Sequence, residues 1–435
     1  MIARRCLVAS LALAAALARA QSPEGEIASI TGKGEYRHER EASWAPAAIR
    51  QKLYDLDWVQ TLDLSRMVLR LGDGSTQFLA PNSKLQILKV AKPNDAKTIL
   101  ELNKGRMWSQ SKTSPGGLEV RTGSALAAIR GTDWELVVDG DTTVLSVFSG
   151  EVQFSNEHGE VLVRPNEQAR AEKGKAPVKL LLRTSRERIQ WVSSFTVDPR
   201  RYSASAGGDA RYAAIAALVH DGQLAQAYAH ARALADTSDA PSAAFLLLSD
   251  FEVYRGEFAA ARAALERGAR RFPKDVRFEA AAAHLALLDG DVETARAHVR
   301  AALAENPDSP DALVTLGDIE RHEGRGREAI AAYGRAVEVS AGDARAWYGR
   351  GAVEGERENV GAARSDLAKA ITLDAAEASY RAESGTVESF ANDLDRARSE
   401  LDAALDLQPD NYVALTGLGI VELKAGHVEA ALAAL

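Results

Sequence analysis

Along the first 180 residues, apolar and polar positions alternate in short runs. "SRMVLRL" (Ser65–Leu71), "STQFLA", "KLQILKV" and "WELVV" have the period of two expected of half-buried strands, and Gly, Asp, Asn and Pro separate them. "WELVVDG" and "TTVLSVFSG" read as two strands joined tightly at Gly140, and Ser149-Gly150 turns the chain into "EVQFS". "GDGS" at Gly72–Ser75 reads as a hairpin turn, because Asp73 and Ser75 alone are too few oxygen ligands for a calcium loop.

After about residue 208 alanine dominates and the period changes. A 34-residue unit begins at Gly208, Ser242, Val276, Pro310, Ala344 and Ala378, and a seventh starts at Tyr412. The eighth position holds Gly317, Gly351, Gly385 and Gly419. The twentieth holds Ala227, Ala261, Ala295, Ala329, Ala363, Ala397 and Ala431, and the twenty-seventh Ala302, Ala336, Ala370 and Ala404. Small residues let two antiparallel helices approach closely. A large residue at the twenty-fourth position (Leu265, Val299, Tyr333, Leu367, Leu401) fills the space beside them, and Pro273, Pro307 and Pro409 end the second helix. One such hairpin cannot bury its apolar face alone, but stacked copies can. The last unit stops at Leu435, its twenty-fourth position, so a longer natural chain or a frayed end is expected.

The start of the chain has the pattern of a processing signal. Arg4 and Arg5 precede the apolar run Cys6–Leu17, and Ala18-Arg19-Ala20 fits a cleavage site before Gln21. The expected organisation is therefore a signal peptide at 1–20, a β-domain at 21–180, a linker with a short helix at 181–207, and an all-α superhelical solenoid at 208–435. Arg183–Asp209 reads as polar and basic, which makes Arg200 and Arg201 the expected first points of tryptic attack. No later run approaches 18 uncharged apolar residues, so a mature protein with no membrane span of its own, periplasmic or secreted, is expected.

Composition narrows the chemistry. The only cysteine, Cys6, lies in the signal, which leaves the mature chain without disulfides or a cysteine nucleophile. Cleavage after Ala20 removes three Arg and changes the formal charge from −8 to −11, a poor match for nucleic acid. No HExxH, GxSxG or Gly-rich phosphate loop occurs, and His230 and His298 share one repeat position, as repeat ancestry rather than ligand geometry would place them. A non-enzyme with no cofactor and no metal is expected.

The repeats resemble the tetratricopeptide repeat in period and key positions. The stretch "VRTGSALAAIRGTDWELVVDGDTTVLSVFSGEVQFSN" resembles the FecR-type domain, as do "LRLGDGSTQFLAPNSKLQI" (Leu69–Ile87) upstream and "VLVRPNEQARAEKGKAP" downstream, where Asn166 replaces the usual Gly. The resemblance runs from about Glu26 to Lys179 and implies an all-β sandwich or roll. Within it Arg130, Gly131, Thr132 and Asp133 read as a structural corner, with Arg130 placed to cap carbonyls or to pair with Asp133 or Asp73.

The tetratricopeptide resemblance implies that a protein or peptide partner binds the groove lined by the first helix of each unit, at positions two, five, nine, twelve and thirteen. Carried over, these positions give Asp250, Tyr254, Arg277, His284, Asp318, Arg321, His322, Arg345 and Tyr348. Position nine is Asp250, His284, Asp318, Ala352, Thr386 and Ile420, so the Asn of the carboxylate-clamp subtype is missing. FecR itself is a membrane-spanning regulator, and this chain has only the extracytoplasmic type of domain. The expected function is an exported scaffold or adaptor of the bacterial cell envelope. The alternatives are an envelope signalling component related to FecR-type sensing, and a carbohydrate-binding module that stacks sugars on Trp44, Trp58, Trp108 or Trp134.

Overall fold

The computed structural model describes residues 24–39, 41–91, 97–110, 117–129, 133–181, 196–408, 411–427 and 431. The signal-peptide reading of 1–20 lies outside them, as do Arg130, Gly131 and Thr132. The chain divides into two compact units, Met1–Lys179 and Leu180–Leu435.

The first unit is built of strands: β1 (Gly25–Thr31), β2 (Gly34–Arg37), β3 (Ala45–Pro46), β4 (Lys52–Leu53), β5 (Trp58–Thr61), β6 (Arg66–Leu71), β7 (Thr76–Leu79), β8 (Lys84–Lys89), β9 (Thr98–Gln110), β10 (Leu118–Arg121), β11 (Leu126–Ile129), β12 (Asp133–Asp139), β13 (Thr142–Ser149), β14 (Val152–Asn156), β15 (Gly159–Val163), β16 (Glu167–Glu172) and β17 (Val178–Leu181). One layer runs β4-β1-β6-β7-β9-β12-β13-β16. The other runs β3-β2-β5-β8-β9-β10-β11-β14-β15, antiparallel except for β9 with β10.

Strand β9 belongs to both layers. Its first half pairs with β8 and β10, and from Gly105 onward it pairs with β12. Strands that change sheets do so at a bend, and here Gly105 has φ +90, with Ser83 Cα 2.5 Å from where a Cβ would sit. Alternation sends Leu69, Met107, Trp134, Leu136, Leu145 and Val147 from one layer, and Leu85, Leu100, Leu102, Val120, Val152 and Phe154 from the other, into a single buried core. The "GDGS" segment joins β6 to β7 as a hairpin turn, with Asp73 Oδ1 accepting from Ser75 N at 2.8 Å and from Ser75 Oγ at 2.6 Å.

The second unit is helical. After a 3₁₀ helix (Pro199–Ala206) come α1 (Ala210–His220), α2 (Leu224–Ala235), α3 (Ser242–Tyr254), α4 (Phe258–Arg271), α5 (Arg277–Leu288), α6 (Val292–Glu305), α7 (Pro310–His322), α8 (Gly326–Val339), α9 (Ala344–Glu356), α10 (Val360–Leu373), α11 (Ala378–Phe390), α12 (Leu394–Leu407) and α13 (Tyr412–Lys424). Odd-numbered helices open the repeats and even-numbered ones close them. All seven alanines of the twentieth position are fully buried, as are the four of the twenty-seventh.

The turn between the two helices of a unit needs a left-handed residue at position fifteen. Gly222, Gly256, Gly290, Gly324 and Gly426 supply it, whereas Glu358 (φ 62) and Asn392 (φ 63) take it in the units without Gly. A left-handed L-residue is strained by about 1–2 kcal/mol, and glycine returns part of that gain through its unfolded-state entropy. Glu358→Gly is therefore expected to raise stability by about 0.5–1 kcal/mol, measurable as a shift in urea midpoint at constant slope.

Neighbouring units are also tied by a repeated polar link that the apolar pattern did not reveal. Position twenty-one of one unit reaches position eleven of the next: Arg296 to Glu320 at 2.7 Å, Arg364 to Glu388 at 2.8 Å, and Arg398 to Glu422 at 2.6 Å. In the first pair of units Tyr228 takes the arginine's place and donates to Glu252 at 2.7 Å. These four glutamates are buried, Glu388 completely. Such carboxylates tolerate burial only while a donor faces them, so the link fixes the register of each unit on the next.

Candidate functional site: the repeat groove

The odd-numbered helices line a cleft of about 640 Å³, into which Asp250 (α3), Arg277 and His284 (α5), Asp318 (α7), and Arg345 and Tyr348 (α9) project. These six of the nine groove residues expected from the sequence share one cleft. Tyr254 is instead buried at the end of α3 and lies outside the lining. It falls at position thirteen, where the helix has turned its side chain toward the solenoid core. His322, also at position thirteen, does not line the cleft either. Arg321 sits beside the cleft and donates to Glu356 Oε1 at 2.8 Å.

The site is a network of opposite charges. Arg345 Nη2 donates to Asp311 at 2.6 Å and to its helix-capping Asp343 at 2.6 Å. Arg277 is held in the same way by Asp275, at 2.7 Å through Nε. Asp311 is kept below the usual carboxylate range: burial raises it, but Arg345, Arg201 and Arg277 outweigh that. At Asp250 and Asp318 burial outweighs the nearby arginines and pushes both up to about 6. Asp318 accepts from Tyr333 Oη at 2.6 Å. His284 is pushed down to about 3, first by burial and then by Arg201 and Arg345. The rings of Tyr348 and Tyr380 (α11) pack in a tilted pair with centroids 5.0 Å apart.

Asp311, Tyr380, Arg201 and Tyr202 are site residues that the sequence reading missed. Asp311 carried a signal, since it occupies position two just as Arg277 and Arg345 do, as an acid between two bases. Arg201 and Tyr202 carried none in the repeat register, because they precede it. Their stretch, expected to be exposed linker, enters the groove instead. Tyr202 is buried with its hydroxyl donating to Asp250 Oδ2 at 2.8 Å, and Val197, Pro199 and Ala206 are buried around it. Polar composition hid these few apolar anchors; of the two expected points of tryptic attack, Arg201 is largely covered and Arg200 stays exposed.

In the β-domain, Asp133 is buried at the start of β12 and accepts from Trp108 Nε1 at 2.5 Å. The remainder of the Arg130–Asp133 corner lies outside the described residues. Trp108 and Trp134 belong to the buried interior, with Trp108 stacked on Phe78 at 4.3 Å, so neither offers a face to a sugar. Trp44 and Trp58 are half-buried and flank Arg37 and Lys84, with Lys84 Nζ 4.8 Å from the Trp58 ring. Among the described residues no helix is long and apolar enough to cross a membrane.

Paired-helix units with small residues at the helix contact define the class: a repeat solenoid of the protein-interaction kind, preceded by a two-layer β-domain. Family comparison supplies the names. The family described as FecR protein matches residues 57–153, and two families described as Tetratricopeptide repeat match 286–352, and 246–310 with 384–435. The chain thus joins a FecR-type domain to C-terminal tetratricopeptide repeats.

No curated protein matches the chain. Among solved structures it is similar to YrrB, described as a TPR protein with an unusual peptide-binding site (20% identity, 40% of this chain and 89% of that one, TM-score 0.29). It is also similar to pilF of Pseudomonas aeruginosa (17%, 47% and 90%, TM-score 0.37). A third is TTC0263, a thermophilic TPR protein in Thermus thermophilus (20%, 44% and 99%, TM-score 0.36). No catalytic family is among the matches.

Proposed function

We propose that this protein is an exported, non-catalytic adaptor of the bacterial cell envelope, whose FecR-type domain docks it and whose repeat groove takes a protein or peptide partner. The observation that carries the reading is the convergence of Asp250, His284, Asp311, Asp318, Arg345 and Tyr348 from four successive first helices on one cleft. Charged and aromatic side chains held by their neighbours' hydrogen bonds are pre-organised, so little rotamer freedom is lost on binding. FecR-type domains are typically envelope-associated, which supports the compartment.

The test is affinity capture from envelope extract with the mature chain and with an Arg321→Ala, Tyr348→Ala chain. Arg and Tyr are frequent hot-spot residues, and Tyr348 packs against Tyr380 of the next first helix. The double variant is expected to retain at most about a tenth of the captured partner, at unchanged helical content. Equal capture by both chains would place binding elsewhere. A captured membrane protein would favour the signalling alternative over the scaffold.

A further inference from the structure

The groove is not empty of chain. Residues Thr196–Ala206 run across it ahead of the first repeat and meet its wall through side chains from three units. Tyr202 donates to Asp250 on α3. The Arg201 guanidinium lies between Asp250 and Asp311 of α7, 3.8 Å from each. Arg200 pairs with Asp374, and Thr196 Oγ1 donates to Glu377 Oε2 at 2.9 Å, both just before α11.

A segment that merely capped the open end of the solenoid would need only α1 and α3. It makes that contact, with Tyr212 Oη of α1 donating to Pro199 O at 2.8 Å. The reach to Asp311, Asp374 and Glu377 goes well beyond capping. Every one of those partners is a carboxylate.

We propose that Thr196–Ala206 is a built-in occupant of the groove, and that the external partner is a peptide segment of the same chemistry, a guanidinium followed directly by a phenol, which binds by displacing it. Three features support exchange. The occupant is a 3₁₀ helix, a form that holds itself poorly. Its central ion pairs are long, and the buried Arg201 Nε has no hydrogen-bond partner among the described residues, so a better-seated guanidinium gains what this one lacks. The wall's cations, Arg277 and Arg345, are already held by Asp275 and Asp343 beside them. The groove's remaining demand is for donors and positive charge, which excludes an acidic peptide.

A tethered segment competes at an effective concentration in the millimolar range, so the wild-type chain conceals its own site. The inference rests on the groove reading above, but its test needs no partner. The probe is a fluorescent synthetic peptide of Thr196–Ala206, titrated by polarisation into the full chain. An Arg201→Ala, Tyr202→Phe chain is expected to bind it at least tenfold tighter than wild type. Adding Asp250→Asn and Asp311→Asn is expected to remove that gain, and a peptide with Ala at both 201 and 202 is expected to bind neither chain.

No tighter binding by the weakened chain, at unchanged helical circular dichroism, overturns the proposal. Should that chain misfold, Tyr202→Phe alone keeps the ring and removes only its bond to Asp250. Amide exchange in 199–206 must then rise, and rise again with excess peptide in the wild type; unchanged exchange in both overturns it equally. Partner capture that ignores Arg321 and Tyr348 would sink the groove function while leaving the peptide result to stand or fall by itself.

Discussion

Replacing Tyr333 by alanine is expected to lower the stability of the repeat array by about 3–5 kcal/mol, the range for removing a large buried aromatic side chain. Tyr333 is the twenty-fourth residue of its unit and is fully buried. Its ring fills the space left by two glycines: a Cβ on Gly317 would lie 2.5 Å from the ring, and one on Gly349, in the next unit, 2.4 Å. The residue thus locks α7 to α8 and both to α9. Its hydroxyl also satisfies Asp318, so alanine leaves a half-buried carboxylate short of a donor as well as opening a cavity.

Tyr333→Phe separates the two effects and is expected to lose about 1–2 kcal/mol, from the hydrogen bond alone. In a solenoid each unit touches only its neighbours. The faster amide exchange should therefore concentrate in α7–α9 and leave the β-domain unchanged. Exchange that rises evenly over the whole chain would contradict this local role.

That lock was legible because a 34-residue period carries its own spatial information. Position eight is small because position twenty-four is large, as Gly351 against Leu367 and Gly385 against Leu401 repeat. The hairpins of the β-domain were legible through the period of two and the Gly corners. What the sequence concealed is of another kind. The change of layer at Gly105 depends on which strands β9 meets after Lys104, and no local pattern states that. The Arg-to-Glu links between units join residues 24 positions apart across a unit boundary, where they look like ordinary surface charges. The groove occupant was hidden twice over, by lying outside the repeat register and by having Tyr202 as its principal deep anchor in a polar stretch.

The groove also sets how the protein should respond to acid. His284 is near 6.5 when unfolded and about 3 in the fold, so between those values the unfolded chain binds the extra proton and stability falls as pH falls. Asp250 and Asp318 act in the opposite sense. Raised from 3.8 to about 6, they take up protons first in the folded chain, and stability from them grows as pH drops from 6 toward 3.8. Arg201, Arg277 and Arg345 stay charged throughout, and Asp311, held low by them, remains ionised in that window.

His284→Gln removes the one groove group of these that penalises the fold between about pH 6.5 and pH 4. A tenfold change in proton affinity corresponds to about 1.4 kcal/mol, and half of the His284 displacement already amounts to about 2 kcal/mol on that scale. The variant's stability relative to wild type is therefore expected to improve by about 2 kcal/mol between about pH 7 and pH 4, read from urea unfolding at both values. Parallel pH profiles would mean that His284 accepts its proton in the fold as readily as in water, and that the arginines do not crowd it. A gain confined to acid is the expected result, because above about pH 7 the histidine is neutral in both the folded and the unfolded chain.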